Sequence, residues 1–96
     1  MAVDQTLVAQ ARRNPARINF DDALALASQF GFQLVRTQGS HFIFHHPLAP
    51  QIRDRFPQPL NLQRGKDGKA KSYQIRQLLQ MAEAMGVIIS EEKGTL

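Results

Sequence analysis

The chain has no cysteine, no tryptophan and a single tyrosine, and no apolar run approaches the ~20 residues that span a bilayer. Without cysteine there is neither a disulfide framework nor a thiolate site, and the cytosol is the default compartment. The N-terminus lacks the charged-then-apolar pattern of a secretory leader. Acids are scarce through the middle. Between Phe32 and Gln80 lie Arg36, Arg53, Arg55, Arg64, Lys66, Lys69, Lys71 and Arg76, against only Asp54 and Asp67. Most of the other acids sit towards the ends, at Asp4, Asp21, Asp22, Glu91 and Glu92.

What is present suits one small globular unit. The 96 residues are enough for one core and too few for two, and an apolar share of 43% argues against wholesale disorder. The net charge of +4, concentrated as described, has two readings. It is a footprint for a polyanion, whose attraction weakens with salt, or a solvated basic surface kept for solubility. No internal repeat and no domain linker interrupts the chain.

Helical spacing of Leu7, Val8 and Ala11 predicts a short helix capped by Asp4 and stopped by Asn14-Pro15, since the residue before proline is pushed out of the α region. Arg12, Arg13 and Arg17 then stand at a solvated helix end or within reach of a phosphate. A second helix starts at Asn19, with Asp22 placed to complete a capping box. Phe20, Ala23, Leu24, Ala27 and Phe30 form its stripe, with Leu26 near it, and Gly31 closes it in the left-handed region.

Two strands follow. Strict alternation puts Phe32, Leu34 and Arg36 on one face of the first, with Gln33, Val35 and Thr37 on the other. In the second, Phe42, Phe44 and His46 share the face expected to meet the helices, and His41, Ile43 and His45 share the open one. Gly39 gives the turn between them its backbone freedom. Pro47, Pro50, Pro57 and Pro59 exclude a central strand and predict a shaped loop in which Leu48, Ile52 and Phe56 pack down while Arg53 and Arg55 stay wet. Leu60-Asn61-Leu62-Gln63 is a third strand with both leucines on one face. The glycine-punctuated loop Arg64–Lys71 leads to Ser72, an expected N-cap, and to a last helix with Ile75, Leu78, Leu79, Ala82 and Met85 on one stripe. That helix ends near Gly86. Val87-Ile88-Ile89 extends the core or forms a partner-binding edge, and residues 90–96 are expected to fray.

Metal binding is a poor use of the three histidines. His41 and His45 are four strand positions apart, about 13 Å, too far for one ion with bonds near 2.1 Å, and His45 and His46 point to opposite faces. No metal and no cofactor is expected. Lys69, Lys71 and the free amides at the start of the last helix are either an anion site or ordinary loop solvation with a capping serine. Imidazole titrates near neutrality, so His41 has the chemistry to take a proton from a ribose 2′-hydroxyl or give one to a leaving 5′-oxygen. Arg36, Lys69, Lys71 and Arg76 are the cations available to stabilise charge on phosphoryl oxygens. Tyr73 and Gln74, on the first turn of that helix, are placed to touch base or sugar, with Tyr73 otherwise a partly buried anchor.

Gly31-Phe32, Arg36-Thr37, Gly39-Ser40-His41, Phe42, Phe44 and Pro47, followed by Leu60–Gln63 and Lys69–Gln77, resemble the core pattern of the HicA (YcfA-like) toxins. The resemblance covers roughly Ile18 to Met85. It implies an α+β, double-stranded-RNA-binding-domain-like fold: a three-stranded antiparallel sheet with helices on one face, here with an extra N-terminal helix at 1–17 and a core at about 18–86. It implies a type II toxin–antitoxin ribonuclease, an mRNA interferase, whose histidine after Gly-Ser, here His41, is catalytic. Arg36, Ser40, Lys69, Lys71, Ser72, Tyr73 and Arg76 then hold RNA phosphate, with mRNA as substrate, a HicB-like antitoxin as partner, and neither membrane nor metal involved. Two departures mark a divergent subgroup. Asn61-Leu62-Gln63 stands where many members carry another histidine, and Lys71–Arg76 replaces the Gly-Thr-Leu-Arg type of helix start. Alternatives are a non-catalytic RNA-binding module of the same fold and a protein-interaction domain using Val87–Ile89 and the N-terminal helix.

Overall fold

A computed structural model describes residues 2–90. The expected fraying of 90–96 concerns residues outside that range, apart from Ser90. The first helix, α1 (Gln5–Arg13), starts as its sequence predicts: the carboxylate of Asp4 accepts a hydrogen bond from the Leu7 amide at 3.0 Å. Leu7, Val8 and Ala11 are buried. A 3-10 turn at Pro15–Arg17 leads to α2 (Phe20–Gln29).

The capping box at α2 does not form. Asn19 holds the N-cap position but its side chain makes no cap bond. Backbone from the basic loop takes that role: the Phe20 amide donates to the Gly68 carbonyl, the Ala70 amide donates to the Ile18 carbonyl, and Asn19 bridges Lys69. A partner distant in sequence has displaced the local one. Leu26, not Leu24, completes the buried stripe.

The strands β1 (Gln33–Gln38), β2 (His41–His45) and β3 (Leu60–Gln63) form an antiparallel sheet in the order β1-β2-β3. Phe44, Leu60 and Leu62 are buried with α1, α2 and α3 (Ser72–Ala84) in one core, and Phe42 packs against it. The helices therefore lie on the phenylalanine face, as expected. Each such leucine or phenylalanine contributes about 1.5–3 kcal/mol relative to exposure. β1 contributes nothing to the core: all six of its residues are exposed, Leu34 and Val35 by more than half.

The alternation in β1 fails at Val35. Leu34 pairs with Phe44 but Arg36 pairs with Ile43, so Val35 is the extra residue of a β-bulge. The bulge moves Arg36 off the helix face, where alternation put it, and onto the open face of Ile43 and His41. Thr37, opposite Phe42, moves the other way.

At the end of α2, Gly31 takes φ +96° while the Gly31 and Phe32 amides donate to the Ser28 and Ala27 carbonyls. His46, 5% exposed, completes this corner. Its Nε2 is 2.9 Å from the Phe30 carbonyl and its Nδ1 accepts from the Leu48 amide at 3.0 Å. A carbonyl only accepts, so the ring is the neutral Nε2–H tautomer. It also meets Phe32 edge-on, with ring centroids 4.8 Å apart. Beyond it Ala49–Ile52 forms a 3-10 turn that buries Ile52, Phe56 packs on the core, and Arg53 and Arg55 are exposed. The chain after α3 turns at Gly86 and buries Ile88, leaving Ile89 87% exposed. No helix among the described residues is long and apolar enough to cross a membrane.

Candidate nucleic-acid interface

Gly39 and Ser40 alone connect β1 to β2, with Gly39 at φ +60° in open space, so the tight turn needs glycine for its backbone and not for room. His41 is the first residue after it, half-buried, paired with Gln38 on one side and Gln63 on the other. Paired residues share a face, so the open side of the sheet carries Arg36 and Gln38 from β1, His41, Ile43 and His45 from β2, and Asn61 and Gln63 from β3.

The His41 Nδ1 lies 3.1 Å from the Asn61 Nδ2 and 3.3 Å from its Oδ1. Both ends of one amide are thus within reach of one ring nitrogen. When Nδ1 carries its proton, Oδ1 accepts it and Nε2 has a free lone pair. When Nδ1 is bare, Nδ2 donates to it and Nε2 carries the proton. The Asn61 amide can therefore hold either neutral tautomer of the ring, and its Oδ1 also accepts from Nδ1 when both ring nitrogens carry protons. Residue type alone does not single out Asn61, which reads as the polar side of a strand. Its signal is the register: both Asn61 and His41 face away from the leucines and phenylalanines on neighbouring strands.

The basic loop is tied down. Arg64 bridges Ala70, the Gly65 amide donates to the Lys69 carbonyl at 2.8 Å, and the Lys69 amide donates to the Asp67 carboxylate at 3.0 Å. A concavity of about 420 Å³ opens over it, lined by Lys66, Asp67, Lys69, Lys71 and Ser72 among others. Lys71, not Ser72, occupies the N-cap of α3, and neither residue makes a side-chain cap bond. The first helical bonds run from the Gln74 and Ile75 amides to the Lys71 carbonyl, so the amides of Ser72 and Tyr73 precede them. His41 pairs with Gln63 while Arg64 bridges Ala70, which leaves one strand between His41 and this helix start, on the order of 10 Å.

Not every expected residue gathers here. Arg76 lines a separate groove between α1 and α3 with Arg12 and Glu83, whose side chains form an ion pair at 3.0 Å. Gln74 is buried, and its Oε1 accepts from the Gln63 amide at 2.7 Å, so it closes the outer edge of β3 rather than standing open to a base or sugar. Tyr73, two residues after Lys71, is 59% exposed, so most of its ring is open to solvent. Ser40 is exposed at the turn, and His45 is exposed opposite Gln33. Among the described residues no group of three or more histidines or acids is placed to hold a metal ion. Compared with protein-family models, with curated proteins and with solved structures, the chain finds no match.

Proposed function

We propose that the chain is a HicA-like endoribonuclease, the toxin of a toxin–antitoxin pair, on a double-stranded-RNA-binding-domain-like frame. The α2-β1-β2-β3-α3 order with helices on one sheet face is compatible with that frame. The observation that carries the proposal is His41 at the hairpin turn, its Nδ1 held by the Asn61 amide, one strand away from a lysine-lined helix start.

RNA brings its own nucleophile. With Nε2 bare, His41 takes the proton of a ribose 2′-hydroxyl as the 2′-oxygen attacks the adjacent phosphorus and the bond to the 5′-oxygen breaks. With Nε2 protonated, it gives that proton to the departing 5′-oxygen. The products are a 2′,3′-cyclic phosphate and a 5′-hydroxyl. Arg36, which the bulge brings to the same sheet face, and Lys69 and Lys71 at the helix start stabilise the charge on the phosphoryl oxygens. Arg76 lies outside this group. A HicB-like antitoxin is the partner expected to cover His41 or the basic rim.

The test is the chemistry of the ends. A transcript cut by the purified protein in EDTA should carry 2′,3′-cyclic phosphate and 5′-hydroxyl termini, and 2′-O-methyl substitution at the cut should block cleavage. Ends bearing a 5′-phosphate would contradict the mechanism. Salt-sensitive binding with no cleavage at all would leave a non-catalytic RNA-binding module.

A further inference from the structure

The N-terminal extension sits against the basic loop, and it brings arginines with it. The 3-10 turn Pro15–Arg17 reaches the loop directly: Ala16 lines the same concavity as Lys66, Lys69 and Lys71. Immediately beside it a second concavity, of about 300 Å³, is lined by Gln10, Arg13, Asn14, Arg17 and Ile18. The two adjoin along one hydrogen bond, from the Ala70 amide in the first to the Ile18 carbonyl in the second.

The three arginines of this extension are not equivalent. Arg12 is spent on structure, bonded to the Glu83 carboxylate and to the Ile89 carbonyl on the α3 side. Arg13 and Arg17 are exposed on the other side, and among the described residues no acid lines their concavity. Arg13 stands in the last turn of α1, where a cation interacts well with the helix dipole. That accounts for one arginine and leaves Arg17, beyond the helix end. Asp67, the acid that lines the neighbouring concavity, is occupied with the Lys69 amide.

We propose that Arg13 and Arg17 form a second phosphate-binding station for single-stranded RNA, continuing the path that runs from His41 across Lys71, Lys69 and Lys66. This rests on the ribonuclease reading above. The extension thereby lengthens the stretch of RNA held on one side of the scissile bond, a task separate from cleavage itself.

The experiment is the salt dependence of binding. Fluorescence anisotropy of a long labelled oligouridylate is followed between about 50 and 200 mM salt. It uses the full chain carrying His41→Ala, so that the probe stays whole, with and without Arg13→Gln/Arg17→Gln. Each single-strand phosphate that the protein ceases to neutralise lowers the slope of log affinity against log salt by about 0.7, hence by about 1.4 for the pair. A control, Arg53→Gln/Arg55→Gln, removes the same charge from the proline-rich loop and should leave the slope unchanged. An unchanged slope in Arg13→Gln/Arg17→Gln, or an equal drop in the control, would overturn the second station while leaving the ribonuclease reading intact. No salt-dependent binding by the parent protein would overturn both. Both arginines are exposed and only the modest dipole interaction of Arg13 is lost, so thermal unfolding should fall little, which separates the effect from misfolding.

Discussion

His41 and His46 stand five positions apart and do different work. His46 has both ring nitrogens committed to backbone, Nε2 to the Phe30 carbonyl and Nδ1 to the Leu48 amide, and its ring is buried. His41 has Nδ1 held by the Asn61 side chain, and its Nε2 makes no hydrogen bond among the described residues. His46→Ala should cost about 2–4 kcal/mol of unfolding free energy in urea, because the buried Phe30 carbonyl and the part-buried Leu48 amide both lose their partner. His41→Ala should change stability by less than about 1 kcal/mol. Equal losses from the two would contradict this division. Gly31 belongs to the same corner. A Cβ there would sit 2.9 Å from the His46 Nε2, and φ is +96°, so both space and backbone demand glycine. Gly31→Ala is expected to cost on the order of 2–3 kcal/mol, from left-handed strain and the displaced His46. Gly39→Ala meets open space at φ +60° and should cost only about 1–2 kcal/mol. Comparing the two urea midpoints separates crowding from strain.

At the level of elements, the two edges of the sheet are treated differently. The outer edge of β3 is closed by the Gln74 side chain at Gln63 and by the Arg64–Ala70 bridge, whereas all of β1 is exposed. Gln74→Leu keeps the size but removes the acceptor, so the Gln63 amide should exchange with solvent much faster and stability should fall by about 1 kcal/mol. An unchanged exchange rate at Gln63 would refute the closing role. Much of this architecture was legible in the chain. Phe42 and Phe44, Leu60 and Leu62 announced their faces by alternation, and Asp4 and Gly31 announced helix ends, because each of those signals is local. The bulge at Val35 was not legible, since an extra residue in one strand has no composition of its own and shows only against a partner's register. The loop partner of Asn19 was hidden for a similar reason: the Gly68 and Ala70 backbone bonds come from some fifty residues away. The candidate site divides likewise. His41 and the lysines stood out by residue type, but Asn61 beside His41, and the separation of Arg76 from Lys69 and Lys71, exist only in three dimensions.

Across the whole molecule, Lys66, Lys69 and Lys71 line one concavity and Arg13 and Arg17 the adjoining one, apart from Arg76 in its own groove, while Asp21 is turned to Arg64 at 3.7 Å. This arrangement predicts RNA affinity that falls steeply with salt, and a catalytic centre at one end of the track and not at its middle. The most direct measurement is cleavage of a long single-stranded transcript by wild-type and His41→Ala protein, in EDTA at low salt, alongside binding of the same RNA. Wild type should cut, and His41→Ala should bind with nearly the same affinity but cut about 10²–10⁴-fold more slowly. Equal cutting by both proteins, or none by either, would contradict this role of His41.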